Sequence, residues 1–408
     1  MGLTRTTADA ALKEDYEPGI RSQINDSNVI LAQVEKGDVD QEGRRAVLSL
    51  HVGRNVGTGA RAEGGTLPTA GNQQYAEQRV PLYYNYGRIQ ITGPVMRAMK
   101  SDSASFTRAV DSETKGIVAD LKRDYNRQIF GTSNGVVAQC GTTNTATEIV
   151  LASDTPLSVM RQFEIGRVVD IGTVANPVAI ANSVSITAVN RSTKTITVSG
   201  SNVSTTGSHY VFWEDAGGAI GGVGQKEITG LRSIVDSSGA LHNVDPSTVP
   251  VWAATEDANG GTNRAPSDTL FERVLDTVEI ESGEMPNLIV TTHGIVRSYA
   301  NGLKDQKRFS NTLDLKGGFK AVSVATASGE LGMVSDRDCP AETAFLLNTS
   351  HLFHHVGSDW EFMDEDGAVL NRVADKDAYE ATLFKYSELT TDQRNSHAKI
   401  VDLSGDNE

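Results

Sequence analysis

The 408-residue chain has only two cysteines, Cys140 and Cys339. Neither stands in a Cys-x-x-Cys pair or beside a histidine at ligand spacing, which excludes a disulfide framework and a structural zinc site. Both read as small buried hydrophobes. Long apolar runs are also missing: stretches such as 287–290 and 344–347 fall far short of the roughly 20 residues a membrane-spanning helix needs, so a soluble protein with no membrane partner is expected. The opening residues, Met1 to Thr6, carry no apolar core followed by a small-residue cleavage site, so nothing points to secretion and synthesis in the cytoplasm is expected. Positive charge is in deficit, with 37 Lys and Arg against 52 Asp and Glu and a formal net charge of −15. A dedicated nucleic-acid reader presents a basic face to phosphates, so that class is excluded, although an acidic wall can contain DNA without gripping it.

Catalytic patterns are equally scarce. There is no Gly-x-Ser-x-Gly elbow, no His-Glu-x-x-His helix and no complete phosphate loop. The glycines at 217, 218, 221, 222 and 224 are followed by no Gly-Lys-Ser/Thr ending and no helix, so they read as a connector. His351, His354 and His355 cluster, and His351 and His355 would share a face on a helix as metal ligands do. The surrounding residues, Phe345 to Leu347 and Leu352 to Phe353, read instead as strands that set His351 and His354 on opposite faces. Asp364, Glu365, Asp366 and Gly367 lack the other ligands and closing glutamate of a calcium loop and read as a polar turn. Asp120 and Asp124 lie one helical turn apart beside Lys122, Arg123 and Arg127, the pattern of a solvated, ion-paired face. No catalytic, cofactor or metal residue is assigned.

What is present begins with a strand from Arg45 to Val52, in which Ala46, Leu48 and Leu50 face one way and Val47, Ser49 and His51 the other. A glycine-rich stretch at 53–75 bends but cannot pack a core, and alternation returns through Val80, Leu82, Tyr84 and Tyr86 and again at Ile89 and Ile91. The pattern predicts one long two-stranded hairpin, marginal alone in water and in need of cover from outside. After caps at Ser101, Asp102 and Ser103, a stripe of Phe106, Val110, Ile117, Leu121, Tyr125 and Ile129 predicts a helix over 103–130, stopped by Gly131. At about 28 residues it far exceeds the mean of about 11–12. Before these elements, residues 1–45 hold short helical signals at Thr7–Tyr16 and around Ile20 to Val34, expected to order as an arm on a neighbour. After them, 148–230 reads as a small β-barrel or sandwich, and the last third as α/β. Its helices are expected near 267–282 and 294–302, and its strands at 288–290, 319–325, 330–334, 343–349, 351–356, 379–386 and 397–403.

Three runs carry a resemblance. Arg61-Ala62-Glu63-Gly64-Gly65-Thr66-Leu67-Pro68 stands at the hairpin tip, Tyr86-Gly87-Arg88-Ile89-Gln90-Ile91-Thr92-Gly93 on the return, and Leu121 to Gly131 (LKRDYNRQIFG) at the helix end. With the later passage Thr229-Gly230-Leu231 and Pro286 to Val290, they resemble major capsid proteins of tailed double-stranded DNA bacteriophages. The resemblance implies an α+β capsid fold: an N-terminal arm at 1–45, an extended loop at 46–92, a spine helix and the start of a peripheral domain at 93–147, a β-rich insertion at 148–230, an axial domain at 231–350, and remaining peripheral strands at 351–408. It also implies self-assembly into hexamers and pentamers that close an icosahedral head around double-stranded DNA, bound without sequence specificity, in a virion built in the host cytoplasm. Inter-subunit contacts are expected at Arg61, Glu63, Gly64, Gly65, Tyr84, Tyr86, Arg88, Arg123 and Arg127. A portal is an implied partner, and so is a separate scaffolding protein, because no long charged helical segment precedes the fold. Whether a decoration protein binds is left open. The 46–92 stretch contains no lysine, so no lysine–asparagine cross-linking is expected, and the acidic balance is expected to repel packaged DNA weakly. The alternatives are the shell of a bacterial protein nanocompartment and, more remotely, a metal-dependent hydrolase using His351, His354 or the Asp364 cluster.

Overall fold

The computed structural model describes residues 28–38, 45–94, 103–153, 155–218, 225–305, 312–316, 320–326, 329–364 and 369–405. Within it the long helix spans Ser103–Ile129, 27 residues, or roughly 40 Å at 1.5 Å per residue. It ends where Gly131 donates its N–H to the Gln128 carbonyl at 2.9 Å. Of the predicted stripe, Tyr125 and Ile129 are buried, while Ile117 and Leu121 are half-buried against the main core. The side chains of Phe106 and Val110 lie outside the described set, as does the cap pair Ser101 and Asp102. The helix crosses the strand Tyr83–Thr92 so closely that a Cβ on Gly87 would stand 2.6 Å from Leu121 Cδ1. A larger residue there would have to push the Leu121 side chain aside.

The expected hairpin is divided. Arg45–Gly53 pairs antiparallel with Gln74–Pro81, with Arg45 opposite Pro81. Pro81 has no N–H to continue the ladder, and the next strand, Tyr83–Thr92, pairs with Ala378–Thr391 instead. The ribbon is not bare either. Leu50 and Val80 are buried, and Gln78, fully buried, donates from Nε2 to Thr390 Oγ1 at 2.9 Å and to the Thr391 carbonyl at 3.1 Å. Only the loop between Gly53 and Gln74 projects beyond the paired strands.

The expected arm also departs from its reading over its described part. The predicted helix at Thr7–Tyr16 lies outside the described residues. Val29–Gln33 forms a short helix capped by Asn28 Oδ1, which accepts the Ile30 and Leu31 N–H groups at 2.9 and 3.1 Å. Val29, Ile30, Leu31 and Val34 then enter the main core, and Glu35–Asp38 runs parallel to Leu352–Phe362. Residues 28–38 order on their own subunit because four apolar side chains have a core within reach.

Three packed bodies follow. A five-stranded sheet runs Glu35–Asp38, Leu352–Phe362, Ala378–Thr391 and Asn371–Arg372, with Tyr83–Thr92 also on Ala378–Thr391. A seven-stranded sheet runs Thr255–Asp257, Ala398–Ile400, Ala344–Leu347, Leu288–Thr291, Gly329–Ser335, Lys320–Thr326 and Thr312–Asp314. The helices Asp268–Ser282 and His293–Asp305 pack on it around Phe271, Leu275, Ile295 and Met333.

The third body is the β-rich unit. Its strands run Val136–Gln139, Tyr210–Trp213, Val168–Gly172, Ala181–Asn190, Thr195–Val198 and Glu148–Val150. The two ends meet: Gly141 N–H reaches the Val150 carbonyl at 2.8 Å, and Ala152 N–H the Gln139 carbonyl at 3.0 Å. Of the two predicted alternatives, the barrel forms, beginning at Val136 rather than 148, around Ile149, Phe163, Ile171, Ile196 and Val211.

Candidate assembly surface

The projecting loop is organised by its own side chains. Asn55 closes its neck, donating from Nδ2 to the Gly71 carbonyl at 2.9 Å and accepting the Gly57 N–H at 2.7 Å. At the tip, Gly65 donates to the Ala62 carbonyl at 2.9 Å around Gly64, which sits at φ +77°, a left-handed conformation that glycine adopts freely. Arg61 braces the same turn, donating to the Thr66 carbonyl at 3.0 Å and the Ala60 carbonyl at 2.9 Å. The expected contact residues Arg61, Glu63, Gly64 and Gly65 thus form one exposed turn. It is flanked by two large apolar side chains that the subunit leaves in solvent, Val56 at 85% and Leu67 at 81% exposure.

Tyr84, Tyr86 and Arg88 lie on the face of their strand turned away from the long helix. Tyr84 and Tyr86 meet Tyr386 edge-on, with ring centroids 4.8 and 6.3 Å away, and Phe384 adds a fourth ring 4.9 Å from Tyr386. Arg88 pairs with Glu380 on the neighbouring strand. The result is an open aromatic platform rimmed by an ion pair. Arg123 pairs with Glu164 of the barrel at the surface.

Arg127 is the correction. The expected solvated face of Asp124 and Arg127 is turned inward, and Arg127, nine-tenths buried, binds Glu227 and accompanies Asp124 at 3.1 Å. Burial works against its charge, but Glu227 and Asp124 more than offset this and hold it protonated. Burial likewise pushes the Asp124 carboxyl up, yet Arg127 and Arg167 keep it below the usual carboxylate range. Arg167 in turn lies 3.6 Å above the Trp213 ring.

Each residue from Asp124 to Gln128 is engaged in this way. Tyr125 Oη lies 2.8 Å from both His354 Nε2 and Ser387 Oγ. Asn126 donates to Asp336 at 3.0 Å and Asp338 at 2.6 Å and receives Asn28. Gln128 donates to Asn85 at 2.8 Å. One helical turn and a half therefore ties the N-terminal segment, the barrel and both sheets to the helix. Asn28, Asp336 and Asp338 were not among the expected residues, since partners so distant in sequence leave no local pattern.

The histidines do not converge. His351 ends the short 3₁₀ turn Thr349–His351, while His354 and His355 are neighbours on a strand and so point to opposite faces. Among the described residues no group of three His, Cys, Asp or Glu is placed to hold a metal ion. Glu365 to Gly367 and Gly221 to Gly224 lie outside the described residues.

Surfaces that project, an open aromatic platform and a rigid strut define a subunit built to join others. Residues 210–404 match the family model described as SU10 major capsid protein. The capsid asymmetric unit of Cyanophage A-1(L) shares the fold, with a TM-score of 0.53 at 14% identity over 92% of each chain. Looser similarity extends to the holo-SrpI encapsulin complex of Synechococcus elongatus PCC 7942, with a TM-score of 0.45 and 8% identity over 91% of this chain and 85% of that one. The capsid of a native GTA particle is comparable, with a TM-score of 0.45 and 10% identity over 92% and 90%. Neither of these two bears on function. No curated protein matches the sequence. The chain has the fold of the major capsid proteins of tailed phages. The family match, over the barrel end and most of both sheets, supports a structural capsid role.

Proposed function

We propose that this subunit assembles head to tail with copies of itself into hexamers and pentamers, and that these close an icosahedral head around double-stranded DNA. The observation that supports it is the pair Val56 and Leu67, more than four-fifths exposed on a loop that projects from its own subunit. Apolar groups held out on a projecting loop gain free energy when another surface covers them. A tip on one part of the chain and a platform on another make a heterologous contact, the kind that closes into rings. In this reading the turn of Arg61, Glu63, Gly64 and Gly65 lies over a neighbour, and Tyr84, Tyr86, Arg88 and Arg123 receive contacts. Arg127, spent inside the subunit, takes no part.

The domain reading follows, with two bounds moved to the strands: arm at 1–45, extended loop at 46–81 in place of 46–92, spine helix within 93–135, β-rich insertion at 136–230 in place of 148–230, axial domain at 231–350, and peripheral strands at 83–92 and 351–408. The platform then belongs to the peripheral sheet. A separate scaffolding protein and a portal complete the assembly in the host cytoplasm, the acidic chain encloses DNA without reading it, and no catalytic role is assigned.

The test expresses the full chain and follows assembly by light scattering and negative-stain microscopy. Wild type, with scaffolding protein if required, should give isometric particles protecting DNA from nuclease. Replacing 56–70 by a short turn should leave soluble capsomers of normal stability that do not close. Closed particles from that variant would overturn the role of the tip, and particles filled with protein in place of DNA would favour a nanocompartment.

A further inference from the structure

The two sheets are joined by a short link, residues 348–351, between Ala344–Leu347 and Leu352–Phe362. His351 closes that link. Its Nδ1 lies 2.8 Å from Asp392 Oδ1, one residue beyond Ala378–Thr391, and its Nε2 lies 2.7 Å from Glu284 Oε2, two residues beyond the helix Asp268–Ser282. The three side chains come from the link, from the five-stranded sheet and from the helical layer on the seven-stranded sheet. A carboxylate at this position only accepts, and a neutral imidazole has a single N–H. Both contacts can be hydrogen bonds only when a second proton is present.

The groups facing His351 are few. Glu284 is held in place by Asn348, whose Nδ2 donates to the same Oε2 at 3.0 Å without neutralising it. His397, fully buried beneath, faces the Asn348 N–H at 3.2 Å and Thr391 Oγ1 at 3.0 Å. Burial pushes His397 down to about 3, so it stays neutral. Arg394, three residues before His397 along the chain, directs its guanidinium to backbone carbonyls. Glu284 and Asp392 are thus the only charges bonded to the ring among the described residues.

We infer that His351 is a proton-operated latch between the two sheets, tying Glu284 to Asp392 when both ring nitrogens carry protons and releasing one of them when a proton is lost. Partial burial disfavours the charged ring, but the two carboxylates outweigh it and raise its titration above the ordinary value. A raised base contributes stability that is complete below its unfolded value of about 6.5 and is lost as pH rises through the folded value.

The test uses the full chain between about pH 5.5 and 9. Deuterium exchange at the imidazole C2 position, read by mass spectrometry, gives the His351 midpoint, and amide exchange corrected for intrinsic rates reads peptides covering 284–292 and 348–356. The His351 midpoint should lie above 6.5, and protection of both peptides should fall several-fold as pH passes through it. In His351→Gln the fall in protection centred on that midpoint should be lost, leaving only the pH dependence the rest of the chain contributes. The pair Glu284→Gln with Asp392→Asn should bring the midpoint down to its ordinary value or below, since burial alone then acts on the ring. A midpoint at or below 6.5, or the same pH dependence in His351→Gln, would overturn the latch.

Discussion

Replacing Arg394 by methionine should lower the unfolding free energy by about 4 kcal/mol or more, the cost of orphaning several buried acceptors at once. The side chain is 1% exposed. Its Nε donates to the Ile234 carbonyl at 2.8 Å, Nη1 to Gly239 at 2.9 Å, and Nη2 to Ser233 at 2.9 Å and Ser238 at 3.2 Å. Burial lowers its pKa to about 10, with Asp236 and Asp245 only partly compensating, and it remains charged at neutral pH. Four carbonyls, two at the end of the short helix Leu231–Ile234 and two a few residues beyond it, thus converge on one planar fork. Methionine keeps the apolar stem but ends at the position of Nε, so the loss combines the hydrogen bonds with the space the guanidinium leaves. Lysine keeps the charge but cannot reproduce the fork, and Arg394→Lys should recover well under half. Denaturant unfolding of the three proteins decides it, and a methionine variant within about 1 kcal/mol of wild type would mean that water replaces the guanidinium.

That anchor had no sequence signature, and the contrast with what was legible is physical. Periodicity exposes elements whose partner lies one turn or one strand away. The helix over 103–130 could be read because its apolar stripe repeats at 3.6 residues. The strands Leu288–Thr291 and Ala344–Leu347 could be read because short apolar runs buried at every position stand between turn signals, and the barrel strands because Val-, Ile- and Thr-rich segments alternate with turns. Closure of the barrel could not, since it depends on Gly141 meeting Val150 and Gln139 meeting Ala152 across a loop. Arg127 looked solvated because only Asp124, three residues away, is visible locally, while Glu227 lies 100 residues on. Asn126 meets Asp338 across 212 residues. The hairpin was read as too long for a similar reason: Tyr84 and Tyr86 continue the alternation past Pro81, and only the partner strand Ala378–Thr391 shows that they have changed sheets. Of the candidate contact residues, the exposed turn at 61–65 and the platform at 84–88 were legible because glycine and aromatic residues mark turns and strand faces, whereas orientation about a helix end was not.

These distant polar contacts suit a shell subunit. A major capsid protein must hold its shape while neighbours load it, and apolar packing alone specifies shape less sharply than polar pairs whose misplacement leaves a buried group unpaired. Burying such groups has a cost, and it should be visible at one of them.

Glu388→Gln should stabilise the protein at neutral pH. Glu388 is fully buried on the strand Ala378–Thr391, opposite His355. One oxygen accepts the N–H groups of Thr229 at 2.7 Å and Leu389 at 2.8 Å, and the other meets no donor among the described residues. Burial outweighs the two backbone donors and pushes the carboxyl up to about 8. An acid raised on folding contributes nothing against stability below its unfolded value near 4.5; above it the unfolded chain ionises while the folded one does not, so stability falls with pH until about 8. At pH 7 the deficit is on the order of 3 kcal/mol, and the neutral amide should recover most of it. The window to read is pH 6.5 to 8. Below it His242 and His397, both pushed down to about 3 by burial, begin to cost stability as the unfolded chain takes up protons. Within it the His351 latch also weakens with pH, but it is common to both proteins and cancels in their difference. The gap between Glu388→Gln and wild type should widen from pH 6.5 to 8 and level off above. A constant gap would mean that water reaches the second oxygen and that Glu388 ionises in the folded subunit.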